Sequence, residues 1–68
     1  MLRANDVVRI LTSHPEDGVV AGELGAILCV FDVPDEAYEV EFVDEDGRPR
    51  AQLTLAPSEI EPVRDDWP

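Results

Sequence analysis

Residues 38–56 read as two strands joined by a tight turn, and no other stretch limits the fold so strongly. Tyr38, Val40 and Phe42 alternate with Glu39 and Glu41. A period of two puts apolar and acidic side chains on opposite faces of a strand over Tyr38–Asp44. Leu53 and Leu55 alternate in the same way with Gln52 and Thr54 over Ala51–Ala56. Between the two, Glu45-Asp46-Gly47-Arg48 contains Asp-Gly, which predicts a type I′ turn, a geometry needing positive φ at its central residues. A lone hairpin with one apolar face is marginal in water, so the rest of the chain must cover that face.

The remainder supplies strands and no long helix. Asp6–Thr12 is predicted as the first strand, with Val7, Val8, Ile10 and Leu11 as its apolar residues. Ser13–Gly25 is a long loop punctuated by Pro15, Gly18, Gly22 and Gly25, leaving room for β pairing near Val19 and Val20. Ala26–Val33 is apolar at nearly every position, which implies burial on both faces or passage through a bend. Pro34 ends that strand because it cannot donate a ladder hydrogen bond. Pro57-Ser58-Glu59-Ile60 reads as one helical turn with proline at its start, followed by a last strand at Glu61–Val63. Arg64–Pro68 reads as a frayed tail unless Trp67 docks. With 68 residues there is room for one core only, and a chain near this size buries about 60% of its unfolded surface. The expected architecture is all-β: a small five-stranded SH3-like barrel with one short helical turn before the last strand. It forms a single domain over residues 1–68, with its core at 6–63.

The segment GELGAILCVF, a loop glycine ahead of an apolar strand, is similar to the KOW-type strand pattern. The wider order DVV, GELGAILCVF, AYEVEFVDEDG, LTLAPSEIEPV resembles the small bacterial family known as domain of unknown function 4926, from Asp6 to Val63. That resemblance implies an SH3-like or KOW-like small barrel and carries no catalytic residues with it. Members of such families often sit beside partners resembling toxins, so the resemblance also implies an antitoxin or immunity role.

Charge limits the partners. Sixteen acidic residues stand against five basic ones, all arginine, for a net charge of −11. Such a field repels nucleic acid and anionic lipid and attracts a basic protein surface. A nucleic-acid-binding KOW-like barrel is therefore the weakest reading, since Arg3, Arg9, Arg48, Arg50 and Arg64 are few and scattered. Arg48 and Arg50 are expected to pair with Asp44, Glu45 or Asp46. The N-terminus lacks a basic segment ahead of a long apolar run, and Ala26–Phe31, the longest apolar run, is far below the roughly 20 residues of a membrane span. A cytoplasmic protein is expected.

No catalytic constellation emerges. Asp44, Glu45 and Asp46 beside Gly47 superficially suggest a calcium loop. That loop needs glycine sixth and glutamate twelfth, whereas glycine here is fourth and Leu55 twelfth. Glu39 and Glu41 share a strand face about 7 Å apart, with nothing to place either in a buried cleft. Cys29, the only cysteine, is expected to be a small core residue. His14, the only histidine, lies in a Ser-His-Pro turn without the company a metal ligand needs. No cofactor or metal is expected, and the chain reads as non-enzymatic. What remains is a charged interface for a basic protein, such as a neighbouring gene's product, formed by Glu16, Asp17 and Glu23 in the long loop, Asp32, Asp35 and Glu36 around Pro34, and Glu39 and Glu41. The alternative is an accessory subunit, or a homodimer, that packs strand edges and residues such as Ile27 and Phe31 into an assembly.

Overall fold

The structure, a computed structural model, describes residues 2–63. Five strands follow one another: β1 (Val7–Ile10), β2 (Leu24–Phe31), β3 (Ala37–Val43), β4 (Pro49–Leu55) and β5 (Ile60–Pro62). Single 3-10 turns lie at Pro15–Asp17 and Pro57–Glu59. All pairings are antiparallel, and the sheet order is β4-β3-β2-β1-β5. The middle strands form a meander, and β5 returns to the free side of β1. This order, with a 3-10 turn ahead of β5, is consistent with the expected SH3-like barrel. Among the described residues no helix is long and apolar enough to cross a membrane. The predicted tail at Arg64–Pro68, with Trp67, lies outside the described residues.

Alternation builds the core as the sequence requires. Val8 and Ile10 of β1, Ile27 of β2, Tyr38, Val40 and Phe42 of β3, Leu55 of β4 and Ile60 of β5 are buried, joined by Val19 from the long connection. Each such aliphatic or aromatic side chain contributes about 1.5–3 kcal/mol on leaving water. Glu39 and Glu41 lie on the opposite face, half-buried.

At Gly25 the inner face of β2 has no side chain, and β3 fills the space. A Cβ there would stand 2.6 Å from Val40 Cγ1, 2.9 Å from Phe42 Cε1 and 3.0 Å from the Glu41 carbonyl. Glycine is needed for close approach, not for an unusual φ. Beyond Ile27 the register of β2 against β3 shifts before Cys29, a bulge that re-aims the strand. Leu28, Cys29 and Phe31 consequently face solvent. The all-apolar run is thus a bent strand rather than one buried on both faces. Two expectations change with it: Cys29 is exposed instead of in the core, and Ile27, expected beside Phe31 on an assembly surface, is wholly buried within the chain.

The hairpin also departs from its expected type. Asn5 is the one non-glycine residue with positive φ among those described, so Asp46 does not adopt the type I′ conformation. Instead Gly47 N–H donates to Asp44 O (3.0 Å), Gly47 takes φ 80°, and Asp44 N–H donates to Arg48 O (2.9 Å). The result is a three-residue loop with a left-handed glycine at its end. Asp44 Oδ1 accepts the N–H groups of Asp46 and Arg48, which fixes the loop. Strand ends move for similar local reasons. β1 stops at Ile10 because Leu11 N–H turns to Glu59 O (2.7 Å), and β2 begins at Leu24, within the predicted loop.

Gly25→Ala tests the close approach by its sign. At an unstrained site this change stabilises by about 0.4–1 kcal/mol through the unfolded chain. Here overpacking against Val40 and Phe42 should instead lower the unfolding free energy by about 1–3 kcal/mol in a urea titration; an unchanged or higher midpoint would show that β2 and β3 part cheaply.

Candidate functional site

A concavity of about 610 Å³ opens where the N-terminal segment, the start of β3, the second 3-10 turn and β5 meet. Tyr38, Pro57, Ile60 and Pro62 give it an apolar lining, and Asp6 and Glu36 contribute carboxylates. β3 places Tyr38 because it is the first inward residue of the alternating strand. The ring is buried while the phenol reaches the groove and donates a hydrogen bond to Glu36 Oε2. That bond, then burial, then the negative charges of Glu36 and Asp32 hold the phenol above its ordinary value of 10.0, so it remains a protonated donor at neutral pH. Asp6 is held by the turn at Asn5 (φ 75°), where its Oδ2 accepts Arg3 N–H at 2.8 Å. The second oxygens of Asp6 and Glu36 accept no hydrogen bond from the described residues. No described basic residue lines the groove.

Two of the arginines, Arg9 and Arg50, are engaged elsewhere. The guanidinium of Arg50 donates to Gly18 O and pairs with Glu23, while Glu23 Oε2 accepts Val20 N–H at 2.7 Å. Arg9 donates to Gly22 O (3.2 Å) and pairs with Glu61 (3.6 Å). Both therefore clamp the long connection onto the sheet. The expected pairing of Arg50 with the acidic hairpin is corrected: β4 carries its side chain away from the turn to residues 18–23. For Arg48, the contacts with Asp44 are made by its backbone N–H and C=O.

The eight carboxylates proposed from sequence do not act as one group. Glu23 anchors the long connection through Arg50. Glu39 accepts hydrogen bonds from Thr54 (2.5 Å) and Gln52 (2.6 Å) across the β3–β4 ladder, which hold its carboxyl below the usual glutamate value. Glu36 belongs to the groove, and Asp32 is close enough to influence Tyr38. Asp35 is exposed in the turn after Pro34. Glu41 borders a second, smaller hollow of about 230 Å³ that is otherwise apolar, formed by Val7, Leu24, Ala26 and Val43. Glu16 and Asp17 lie in the first 3-10 turn beside His14. His14 therefore has acidic company after all, because the turn folds i+2 and i+3 back upon it and Glu59 approaches from the second 3-10 turn. Sequence reasoning missed Asp6, Tyr38 and Pro57 as groove residues. The available signal was a tyrosine at a core position, whose hydroxyl needs a partner, with Glu36 two residues before it.

The family described as Domain of unknown function (DUF4926) matches this chain over residues 4–62, and the chain belongs to that family. Neither the curated proteins nor the solved structures contain a match.

Glu39 should leave a signature in acid. Its folded-state pKa lies below the ordinary value of 4.5, chiefly because Thr54 and Gln52 donate hydrogen bonds to the carboxylate. It therefore contributes stability above the unfolded pKa that is lost as pH falls through the folded value. Glu39→Gln should be less stable than the parent at pH 7, with the difference shrinking in paired denaturation curves as the pH falls below the ordinary glutamate value. A gap independent of pH would mean that Thr54 and Gln52 do not favour the charged form.

Proposed function

We propose that this member of the DUF4926 family is a non-enzymatic, acidic binding module that accepts a basic segment of a partner protein in the groove at Tyr38. Its role on this reading is that of an antitoxin, immunity-type or regulatory partner inside the cell. One observation carries the proposal: the groove combines an apolar floor with Asp6 and Glu36 and has no described cation, in a chain of net charge −11. A lysine or arginine entering there would meet Asp6 Oδ1 and Glu36 Oε1, while its aliphatic stem lay on Pro57, Ile60 and Pro62. Asp32 would extend the favourable field, speeding encounter and setting orientation more than adding affinity. The engagement of Arg9 and Arg50 with the long connection supports this reading, since neither is left to compete for the groove.

A second reading, an accessory subunit or homodimer, draws support from the apolar hollow at Val7, Leu24, Ala26 and Val43.

Binding of the purified product of the neighbouring gene, followed by calorimetry and by amide shifts, separates the readings. Raising salt from about 0.1 M to about 1 M shortens the screening length from about 10 Å to about 3 Å. A complex at the groove should weaken about tenfold or more over that range, shift the amides of Tyr38 and Ile60, and lose affinity in Asp6→Asn and Glu36→Gln. Salt-insensitive binding with shifts at Leu24 and Val43 would instead establish the accessory-subunit reading.

A further inference from the structure

We propose that His14, Glu16 and Asp17 form a solvent-accessible site for a divalent first-row transition ion, with Glu59 orienting the histidine. One donor atom from each of the three lies within 4.8 Å of the others. The two ring nitrogens face different groups. Nδ1 looks toward Glu16 Oε2 at 3.8 Å, and Nε2 toward Glu59 Oε2 at 3.3 Å and Thr12 Oγ1 at 3.4 Å. Metal-bound histidines commonly carry a carboxylate on the second nitrogen, which fixes the tautomer and raises the basicity of the first. Glu59 is itself held, since its Oε1 accepts Ala56 N–H at 2.9 Å and its Oε2 contacts Thr12 Oγ1 at 3.4 Å. The tautomer with Nε2–H donating to Glu59 leaves the Nδ1 lone pair available on the side of Glu16.

The backbone holds this donor set in place. His14 O accepts Asp17 N–H (2.9 Å) and Val19 N–H (3.1 Å), and His14 N–H donates to Val19 O (2.8 Å), so residues 14–19 form a closed loop. Metal–ligand bonds of about 2.0–2.2 Å place donors roughly 3.4 Å apart around a tetrahedral ion. The donors here, within 4.8 Å of one another, need to contract by at most about 1.4 Å to reach that spacing. Glu16 can do so by side-chain rotation, because its side chain is 71% exposed, whereas His14 is 23% exposed and stays in place. One imidazole with two carboxylates suits zinc, nickel or manganese better than magnesium, which prefers all-oxygen octahedral sites and keeps its water. The ion would also relieve the mutual repulsion of Glu16, Asp17 and Glu59 around a single histidine.

His14 is the only histidine, so its ring resonances report on the site without ambiguity. Zinc ion titrated into the full chain should bind with one-to-one saturation and shift the His14 ring signals, and a tenfold excess of magnesium should not compete. His14→Gln should abolish the high-affinity phase. Glu16→Gln, an exposed change that leaves the fold intact, should weaken binding at least tenfold, and Glu59→Gln should do so by about 10- to 100-fold with Nδ1 still the ligand. Zinc that leaves the His14 ring signals unmoved would be bound elsewhere, for instance at the exposed Cys29, and would overturn the proposal. So would a His14→Gln chain that binds zinc as tightly as the parent.

Discussion

Val40 and Phe42 pack directly on the bare backbone of Gly25, and the rest of the sheet depends on that approach. β2 is the central strand, paired on one side with β3 and on the other with β1. Close seating of β3 on β2 lets Ile27, Val40 and Phe42 share one core with Val8 and Ile10. The bulge after Ile27 then re-aims the strand, so Cys29 and Phe31 are carried into solvent while Val30 still packs against the core. In a chain with so small a core, even one methyl group at this crossing would be felt, because interiors are packed near crystal density.

Electrostatics is organised around the same frame. An exposed ion pair contributes about 0–1 kcal/mol, so Arg9 and Arg50 matter less for energy than for placement. Arg50 reaches Gly18 O and Glu23, and Arg9 reaches Gly22 O, which ties the connection between β1 and β2 to the sheet at two points. With these cations engaged, acidic groups dominate the remaining surface. On the reading proposed above, the groove at Tyr38 and the His14 turn are two separate uses of that surplus, one for a basic segment and one for a metal ion.

Much of this was legible in the residues. The alternation in Tyr38–Phe42 and Leu53–Leu55 has one physical cause, the two-residue repeat of a strand, and its inward members are those found buried or half-buried. Pro57 at the start of a short turn and the hairpin at Gly47 were legible for the same local reason. The finer turn type was not, because Asp-Gly fits both a two-residue loop and a three-residue loop ending in a left-handed glycine, and the side chain of Asp44 decides between them. Ala26–Val33 was ambiguous in kind, since an unbroken apolar run looks alike whether it is buried on both faces or bent.

By itself, then, the sequence determined the strand content, the identity of the core face and the sign of the field, because each depends on neighbours a few residues apart. Only the tertiary structure decided which carboxylates are already engaged. Glu23 with Arg50, Glu39 with Thr54, and His14 with Glu59 are separated by 27, 15 and 45 residues, the last being 59 − 14. Pairings at that distance are fixed by sheet register and chain reversal, which no local pattern encodes.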